Sequence, residues 1–377
     1  MKKKIFFLIP TLSVGGGERV VSELSRAFAK THEVKIVLLK NEISYPHAGQ
    51  VISLDVELSK NVFLKIYNYA KALIRFKKIA KREKPDYVIS LGHIANIINI
   101  LSGERAIVRA DNFFSKSLNG FGGNIYKILI RMLFSRAYLV VAVSKASAAD
   151  LALHFGVKKE KIKVMYNPLN VGEIEMLARE PLGKEYEEIF KNPVIINMGR
   201  LSRQKGQEHL IEAFYQIKSK IKNAKLLILG TGELEASLKS LCEKMGLKPD
   251  VHFLGWQKNP FSFLARSKLF VLSSLWEGLP YVMLEAMACG LPIASFDCES
   301  GPREILAPDT DVSFEAKNIE YAKYGILVKK EDTKLLSQAV VEILSKEDLI
   351  RKFKEKSKER ALDFDIKNIV EEWVFLN

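Results

Sequence analysis

Cysteine is scarce in this 377-residue chain, and so is any long uncharged run. The three cysteines, Cys242, Cys289 and Cys298, are odd in number and lack metal-ligand spacing. That excludes a disulfide scaffold and suits reduced, buried thiols in a cytoplasmic protein. The longest uncharged stretch near the middle, residues 87–103, falls short of a bilayer span and carries Asn96 and Asn99. The opening MKKKIFFLIPTL has the basic start and short apolar run of a signal peptide. GGGERVVSEL follows it directly as loop and helix, so it reads instead as a first strand. Acidic residues are lacking in one half only. Residues 1–170 hold 28 Lys plus Arg against 12 Asp plus Glu, and the remainder holds 30 against 32. Length and uneven charge point to two domains that meet different partners. Nucleic acid is not an expected partner of the basic half, because no recognised nucleic-acid module or stacking platform accompanies the charge.

What is present is organised around residues 272–292, LSSLWEGLPYVMLEAMACGLP. KLFVLSS before it is an apolar run of strand length, and YVMLEAMAC has helical spacing and stops at Gly290. The stretch therefore reads strand, loop, helix, with Glu277 in the loop and Glu285 about two turns into the helix. Gly278 permits close backbone approach, Pro280 suits a first helical turn, and a helix start offers N–H groups to an anion. A carboxylate touching that anion would be repelled, so Glu277 is expected to hold hydroxyls attached to it. A sugar nucleotide meets both needs.

EGLPYVMLEAMACGLPI resembles the E-x-x-x-x-x-x-x-E signature of the retaining glycosyltransferases of family four. The resemblance implies an α/β, GT-B fold: two Rossmann-like, doubly wound domains facing a central cleft. It places Glu277 on the donor sugar and Glu285 on the nucleotide ribose, with Gly278, Leu279 and Pro280 around the donor. It also implies boundaries: residues 1–170 an acceptor- and membrane-facing domain, 171–360 a donor-binding domain, and 361–377 a helix that crosses back to the first.

Glycines 15–17 lie between a strand and a helix of about residues 18–30. GGGE lacks the third glycine of the dinucleotide fingerprint, which argues against a nicotinamide-dependent dehydrogenase. The family likeness places Gly16 and Gly17 near donor phosphates and acceptor. Strands recur at DYVISL, RAIVRA and AYLVVAVS, as in a parallel doubly wound sheet, and functional side chains then sit just beyond strand ends. His93 and Asp111 occupy such positions. The family often has a His where this chain has Asp111, flanked by Arg109 and Asn112, so either Asp111 or His93 is a candidate for addressing the acceptor hydroxyl.

In the second half, VIINMGRLSRQKGQEHL carries Arg200 and Lys205 in a basic loop before a helix, and resembles the family's G-R-x-x-x-x-K-G donor motif. A guanidinium and an ammonium suit a departing diphosphate. The family likeness puts Gly232 and Glu233 under the donor and Trp256 beside its base. SGPREIL reads as structural. No DxD-type metal motif is evident, and the cationic pair supplies equivalent electrostatics, so no metal or other cofactor is expected beyond a nucleotide-sugar substrate, most simply a UDP-sugar.

Residues 60–84 pack nine Lys and Arg among aromatic and aliphatic residues, and NIYKILIRMLFSRAYLV is a second basic, apolar segment. Lys65, Lys71, Arg75, Lys78 and Arg131 are the candidate contacts to an anionic membrane surface or acceptor headgroup. Together these readings predict a peripheral enzyme on the inner face of the plasma membrane. It would transfer a hexose or N-acetylhexosamine such as N-acetylgalactosamine to a lipid-diphosphate-linked glycan. A nucleotide-sugar epimerase of the same architecture, or a non-catalytic basic protein binding membrane or nucleic acid, are the alternatives.

Overall fold

The computed structural model describes residues 2–13, 15–57, 61–118 and 120–373. Lys60, which opens the basic segment, and residues 374–377 of the expected C-terminal helix lie outside the described residues. The chain divides into two units, one of residues 1–168 with 366–377 and the other of residues 169–365.

In the first unit, seven apolar runs rich in Val, Ile, Leu and Phe form strands: β1 (Lys4–Ile9), β2 (Glu33–Leu38), β3 (Gln50–Ser53), β4 (Tyr87–Leu91), β5 (Ala106–Ala110), β6 (Leu139–Ala142) and β7 (Ile162–Val164). They pair in the order β3-β2-β1-β4-β5-β6-β7, all parallel. Continuous burial along β1, β4 and β5 follows from helices covering both faces. The order reverses between β1 and β4, so the loops leaving their carboxyl ends diverge and open a ligand position there. Helix α1 (Gly16–Phe28) begins inside the glycine run, two residues earlier than the sequence pattern suggests. Helix α2 (Val62–Glu83) is capped by Asn61, whose side chain accepts from the N–H groups of Phe63 and Leu64. Helix α3 (His93–Ser102) follows β4, and α4 (Gly120–Leu133) precedes β6.

The second unit repeats the plan with β8 (Val194–Met198), β9 (Lys225–Leu229), β10 (Val251–Gly255), β11 (Leu269–Leu272), β12 (Ile293–Phe296), β13 (Glu320–Ala322) and β14 (Gly325–Val328). Their order is β10-β9-β8-β11-β12-β14-β13, with β13 alone antiparallel. Here the reversal lies between β8 and β11. Helix α5 (Gln207–Lys220) buries Leu210, Ile211, Phe214 and Ile217 against the sheet, while α6 (Tyr281–Ala288) follows β11 and α7 (Pro302–Leu306) follows β12.

The chain rejoins the first unit at Ile366, five residues later than the expected boundary at 361. The reason is helix α8 (Glu347–Leu362), whose Arg360 is held in the second unit by the carbonyls of Glu304 and Ile305. The last helix, Ile366–Glu371, leads to Trp373, whose buried ring meets Phe28 of α1 edge-on at 5.7 Å. All three cysteines are free thiols; Cys242 and Cys298 are buried and Cys289 is partly so.

Candidate functional site

In the second unit, the loops after β8 and β11 flank the reversal and are stitched together. Residues Arg203–Lys205 form a single 3-10 turn that ends at Gly206 with φ of 57°. A Cβ at Gly206 would stand 2.3 Å from the carbonyl of Ser273, so glycine is required both by backbone conformation and by space. Ser273 Oγ donates to the Lys205 carbonyl at 2.9 Å, Leu275 N–H to Gln204 O at 2.8 Å, and Gln204 Nε2 to Trp276 O at 3.0 Å. This lattice brings the Lys205 Nζ within 2.6 Å of Glu277 Oε1, the two side chains being 18% and 7% exposed. Lys205 and Glu277 are thus each other's counterion, a pairing in addition to the ligand contacts expected of them. Arg200 is exposed and, among the described residues, makes no ion pair.

The EGLP loop rests on residues 299–301. Ser300 Oγ donates to the carbonyl of Gly278 at 2.6 Å, and Glu277 N–H reaches the Glu299 carbonyl at 3.4 Å. Gly301 has φ of 96°, and a Cβ there would lie 2.4 Å from Pro280 Cδ. Lys330 donates to Glu299 at 2.7 Å and fixes the far end of this support; the hydrogen bond and charge of Glu299 raise the Lys330 pKa although burial opposes them. Pro280 is the N-cap of α6 and not part of its first turn, so Glu285 is the fifth helical residue, just over one turn in. That corrects the two turns expected from sequence. Glu285 is 7% exposed, and Leu279 is also buried. Buried beside three carboxylates, the Cys298 thiol has its pKa driven well above the ordinary value, chiefly by desolvation and then by Glu277.

The remaining donor-side residues are more open. Gly232 packs against the backbone of Leu201, where a Cβ would come within 2.2 Å of the carbonyl. Glu233 is exposed, and Trp256 is 48% exposed after a register shift at the end of edge strand β10. Among the described residues no cluster of three or more His, Cys, Asp or Glu is arranged to hold a metal ion.

In the first unit the loops after β1, β4 and β5 gather a second set. Gly16 and Gly17 open α1. Among the described residues a Cβ on Gly17 would meet Leu91 at 3.8 Å and Asp111 Oδ2 at 3.9 Å, both ordinary contacts that do not forbid a side chain there. Asp111 Oδ1 accepts from Arg109 Nε at 3.0 Å, and Arg109 Nη2 donates to Asn167 Oδ1 at 2.8 Å. His93, exposed at the start of α3, stacks on Tyr126 with ring centroids 4.2 Å apart. Although part of the His93 ring is open to solvent, the protein packed on its other side lowers its pKa by desolvation, with the Asp111 carboxylate opposing. Burial raises the Tyr126 pKa. Tyr126, 33 residues from His93, has no signal in the sequence that would have linked the two. The Arg109 to Asp111 pairing had one, a guanidinium two residues from a carboxylate at a strand end.

The two basic segments are helices with two characters. On α2, Ala72, Phe76 and Ala80 pack into the core, while Phe63, Ile66, Tyr67 and Ile74 are 84, 62, 62 and 56% exposed. Lys65, Lys71 and Lys78 are exposed with them. Arg75 is half-buried, and its guanidinium donates to the backbone carbonyls of Leu54 and Asp55, which ties down the loop after β3. On α4, Tyr126, Ile130 and Leu133 are buried and Ile128 and Met132 exposed; Arg131 clasps the His154 carbonyl. No helix among the described residues is long and apolar enough to cross a membrane.

Comparison with known proteins identifies the family. Residues 14–173 match the model of Glycosyltransferase Family 4, and residues 180–360 that of Glycosyl transferases group 1. An uncharacterised glycosyltransferase of Methanocaldococcus jannaschii is 36% identical over 93% of this chain and 94% of its own length. An N-acetylgalactosamine-N,N'-diacetylbacillosaminyl-diphospho-undecaprenol 4-alpha-N-acetylgalactosaminyltransferase of Campylobacter jejuni is 27% identical over 96% of both chains. Among solved structures, Anabaena HepE in complex with UDP-glucose superimposes with a TM-score of 0.78 at 18% identity, covering 99% of this chain and 98% of that one. With its two doubly wound units and the paired motifs at their strand ends, the chain belongs to the family-four, group 1 glycosyltransferases of GT-B fold.

Proposed function

We propose that this glycosyltransferase moves a sugar from a UDP-sugar onto a lipid-diphosphate-linked glycan with retention at the anomeric carbon. The sugar is a hexose or N-acetylhexosamine, N-acetylgalactosamine foremost. The observation that carries the reading is the Lys205–Glu277 pair, a partly buried cation on a buried carboxylate, placed at the strand-order reversal of the second sheet beside the start of α6. A donor needs both charges there: an ammonium for its diphosphate and a carboxylate for its sugar hydroxyls.

In this mechanism the bond from the anomeric carbon to the diphosphate oxygen breaks first, its electron pair leaving with the diphosphate. Lys205, the exposed Arg200 and the N-terminal end of α6 stabilise that growing charge. Glu277 holds the oxocarbenium-like sugar, and Glu285 the ribose. The acceptor oxygen then bonds to the anomeric carbon on the face the leaving group vacated, and its proton passes to the departing diphosphate oxygen. Gly232, Glu233 and Trp256 line the nucleotide side, with Trp256 available to stack on the base.

The acceptor class is supported by the name of the Campylobacter relative, which acts on a diphospho-undecaprenol glycan. It is supported too by exposed apolar residues interleaved with Lys65, Lys71 and Lys78 on α2. Such a face suits an anionic bilayer at the cytoplasmic side of the plasma membrane. Arg75 and Arg131, bound to backbone carbonyls, serve the surface less directly than the lysines.

The test is thermal stabilisation of the purified chain across UDP, GDP, ADP and dTDP. One diphosphate at about 100 times its Kd stabilises the second unit by about 2.7 kcal/mol, and Lys205→Ala abolishes the shift. Chelation leaves transfer unchanged, because the cationic pair supplies the leaving-group stabilisation. No shift with any nucleotide, or activity lost to chelator and restored by magnesium, would contradict the donor site as drawn.

A further inference from the structure

Arg109 is among the largest fully buried side chains of the protein, and it is charged. Its backbone carbonyl accepts from Asn96 Nδ2 at 2.8 Å, and Asn96 Oδ1 accepts from Ser90 Oγ at 2.8 Å, so its strand position is locked from α3. Nε is spent on Asp111 and Nη2 on Asn167, and Nη1 has no partner among the described residues. A guanidinium sealed from water needs a counterion, and Asp111 is the carboxylate that pairs with it.

The pair is lopsided. The Arg109 side chain is 0% exposed and that of Asp111 is 28% exposed. The exposed side of the carboxylate keeps part of its hydration, and it is also the side a ligand can reach. Asp111 Oδ1 is taken by Arg109, and Oδ2 lies on the side of Gly17, 3.9 Å from where a Cβ would stand. Gly17 lies in helical backbone and meets only ordinary contacts, so its missing side chain leaves room beside Oδ2 that the fold does not use.

Building on the glycosyl-transfer reading above, we propose that Arg109 is a positioning residue, holding Asp111 so that Oδ2 accepts a hydrogen bond from the acceptor sugar hydroxyl beside Gly17. Neither residue gains or loses a proton over the reaction. The carboxylate fixes the direction of the hydroxyl and leaves its oxygen lone pair free to attack, and the proton leaves with the diphosphate as before. A fork-shaped guanidinium suits this duty because Nε and Nη2, fixed in one plane, brace Asp111 and Asn167 at once, whereas an ammonium on a flexible stem holds two partners less rigidly.

The experiment compares nucleotide release by the full-length chain with and without acceptor, for wild type, Asp111→Asn, Arg109→Gln and Arg109→Lys. UDP-glucose and UDP-N-acetylgalactosamine are the donor probes, and N-acetylgalactosaminyl-N,N'-diacetylbacillosaminyl-diphospho-undecaprenol is the acceptor probe. Water replaces the acceptor in the acceptor-free reaction and does not use the Asp111 contact. Transfer is therefore expected to fall about 100-fold more than hydrolysis in Asp111→Asn and Arg109→Gln, with donor KM unchanged, and Arg109→Lys to recover about tenfold. Should Arg109→Gln fail to fold, Arg109→Lys and Asp111→Asn carry the comparison. Transfer and hydrolysis falling in proportion would overturn the proposal in favour of a purely structural pair, as would undiminished transfer. Absence of nucleotide release by wild type from both donors would overturn the donor-site reading itself, and the positioning role with it.

Discussion

Removing Lys205 strands a carboxylate. Glu277 is 7% exposed on the side chain and its Oε1 accepts from Lys205 at 2.6 Å, so Lys205→Ala leaves an uncompensated charge among buried neighbours. Breaking a buried pair from one side costs about 3–5 kcal/mol, and the 18% exposure of Lys205 lets water relieve part of it, giving about 2–3 kcal/mol here. For a unit of the size of residues 169–365 that lowers the melting temperature by about 4–12 °C. Adding Glu277→Gln removes the stranded charge, and the double variant is expected to regain about half of the loss, a coupling of about 1 kcal/mol or more. Tryptophan fluorescence during urea unfolding is the assay, since Trp256 and Trp276 belong to the second unit and Trp373 alone to the first. Additive losses in the double variant would refute the reasoning, because they would mean that the two charges do not depend on each other.

Gly17 and Gly301 separate two uses of glycine. Gly301→Ala forces a Cβ against Pro280 at φ of 96° and is expected to cost about 2–3 kcal/mol, read from the same unfolding curves. Gly17→Ala is expected to change stability by less than about 1 kcal/mol, since its Cβ makes only ordinary contacts, yet abolish transfer, because it fills the space beside Asp111 Oδ2 proposed for the acceptor. The His93 pKa is lowered from its ordinary 6.5, so the unfolded chain binds that proton more tightly. Its stabilising contribution is complete above the unfolded value and is lost as pH falls through the folded one. Melting temperatures should drop between about pH 7 and 5, and His93→Phe, which keeps the stack on Tyr126, should flatten that drop. His32 and His252 shift the same way by burial and account for the slope that remains. On α2, Phe63→Ser with Ile66→Ser is expected to weaken binding to anionic vesicles about 30-fold by flotation, from about 1 kcal/mol of lost insertion for each side chain. Lys65→Gln is expected to weaken it by about 1 kcal/mol only where the vesicles carry negative lipid.

The architecture was legible because its signals are local. KIFFLI after its leading Lys4, and VIINM apart from Asn197, are apolar runs, as expected of strands covered on both faces, and glycine loops punctuate strand from helix at both β1 and β8. What failed was decided by neighbours distant in sequence. Pro280 serves as a cap because Gly301 and Ser300 hold the EGLP loop from below, which places Glu285 one turn earlier than the helical pattern alone suggests. The return to the first unit is delayed to Ile366 because Arg360 is anchored on carbonyls more than fifty residues away. Lys205 and Glu277 are 72 residues apart, and spacing gave no sign that they would bond to each other. Charge alone likewise did not distinguish Lys65, exposed on α2, from Arg75, which is bound to the Leu54 carbonyl.

The most direct test of the account is the anomeric configuration of the product. The chain would be incubated with UDP-N-acetylgalactosamine and the diphospho-undecaprenol glycan, and the anomeric proton coupling of the new linkage read by NMR. A small coupling, showing that the α configuration of the donor is kept in the product, is the result the account predicts. A large coupling, the mark of an inverted β linkage, would contradict the roles given to Glu277 and the departing diphosphate.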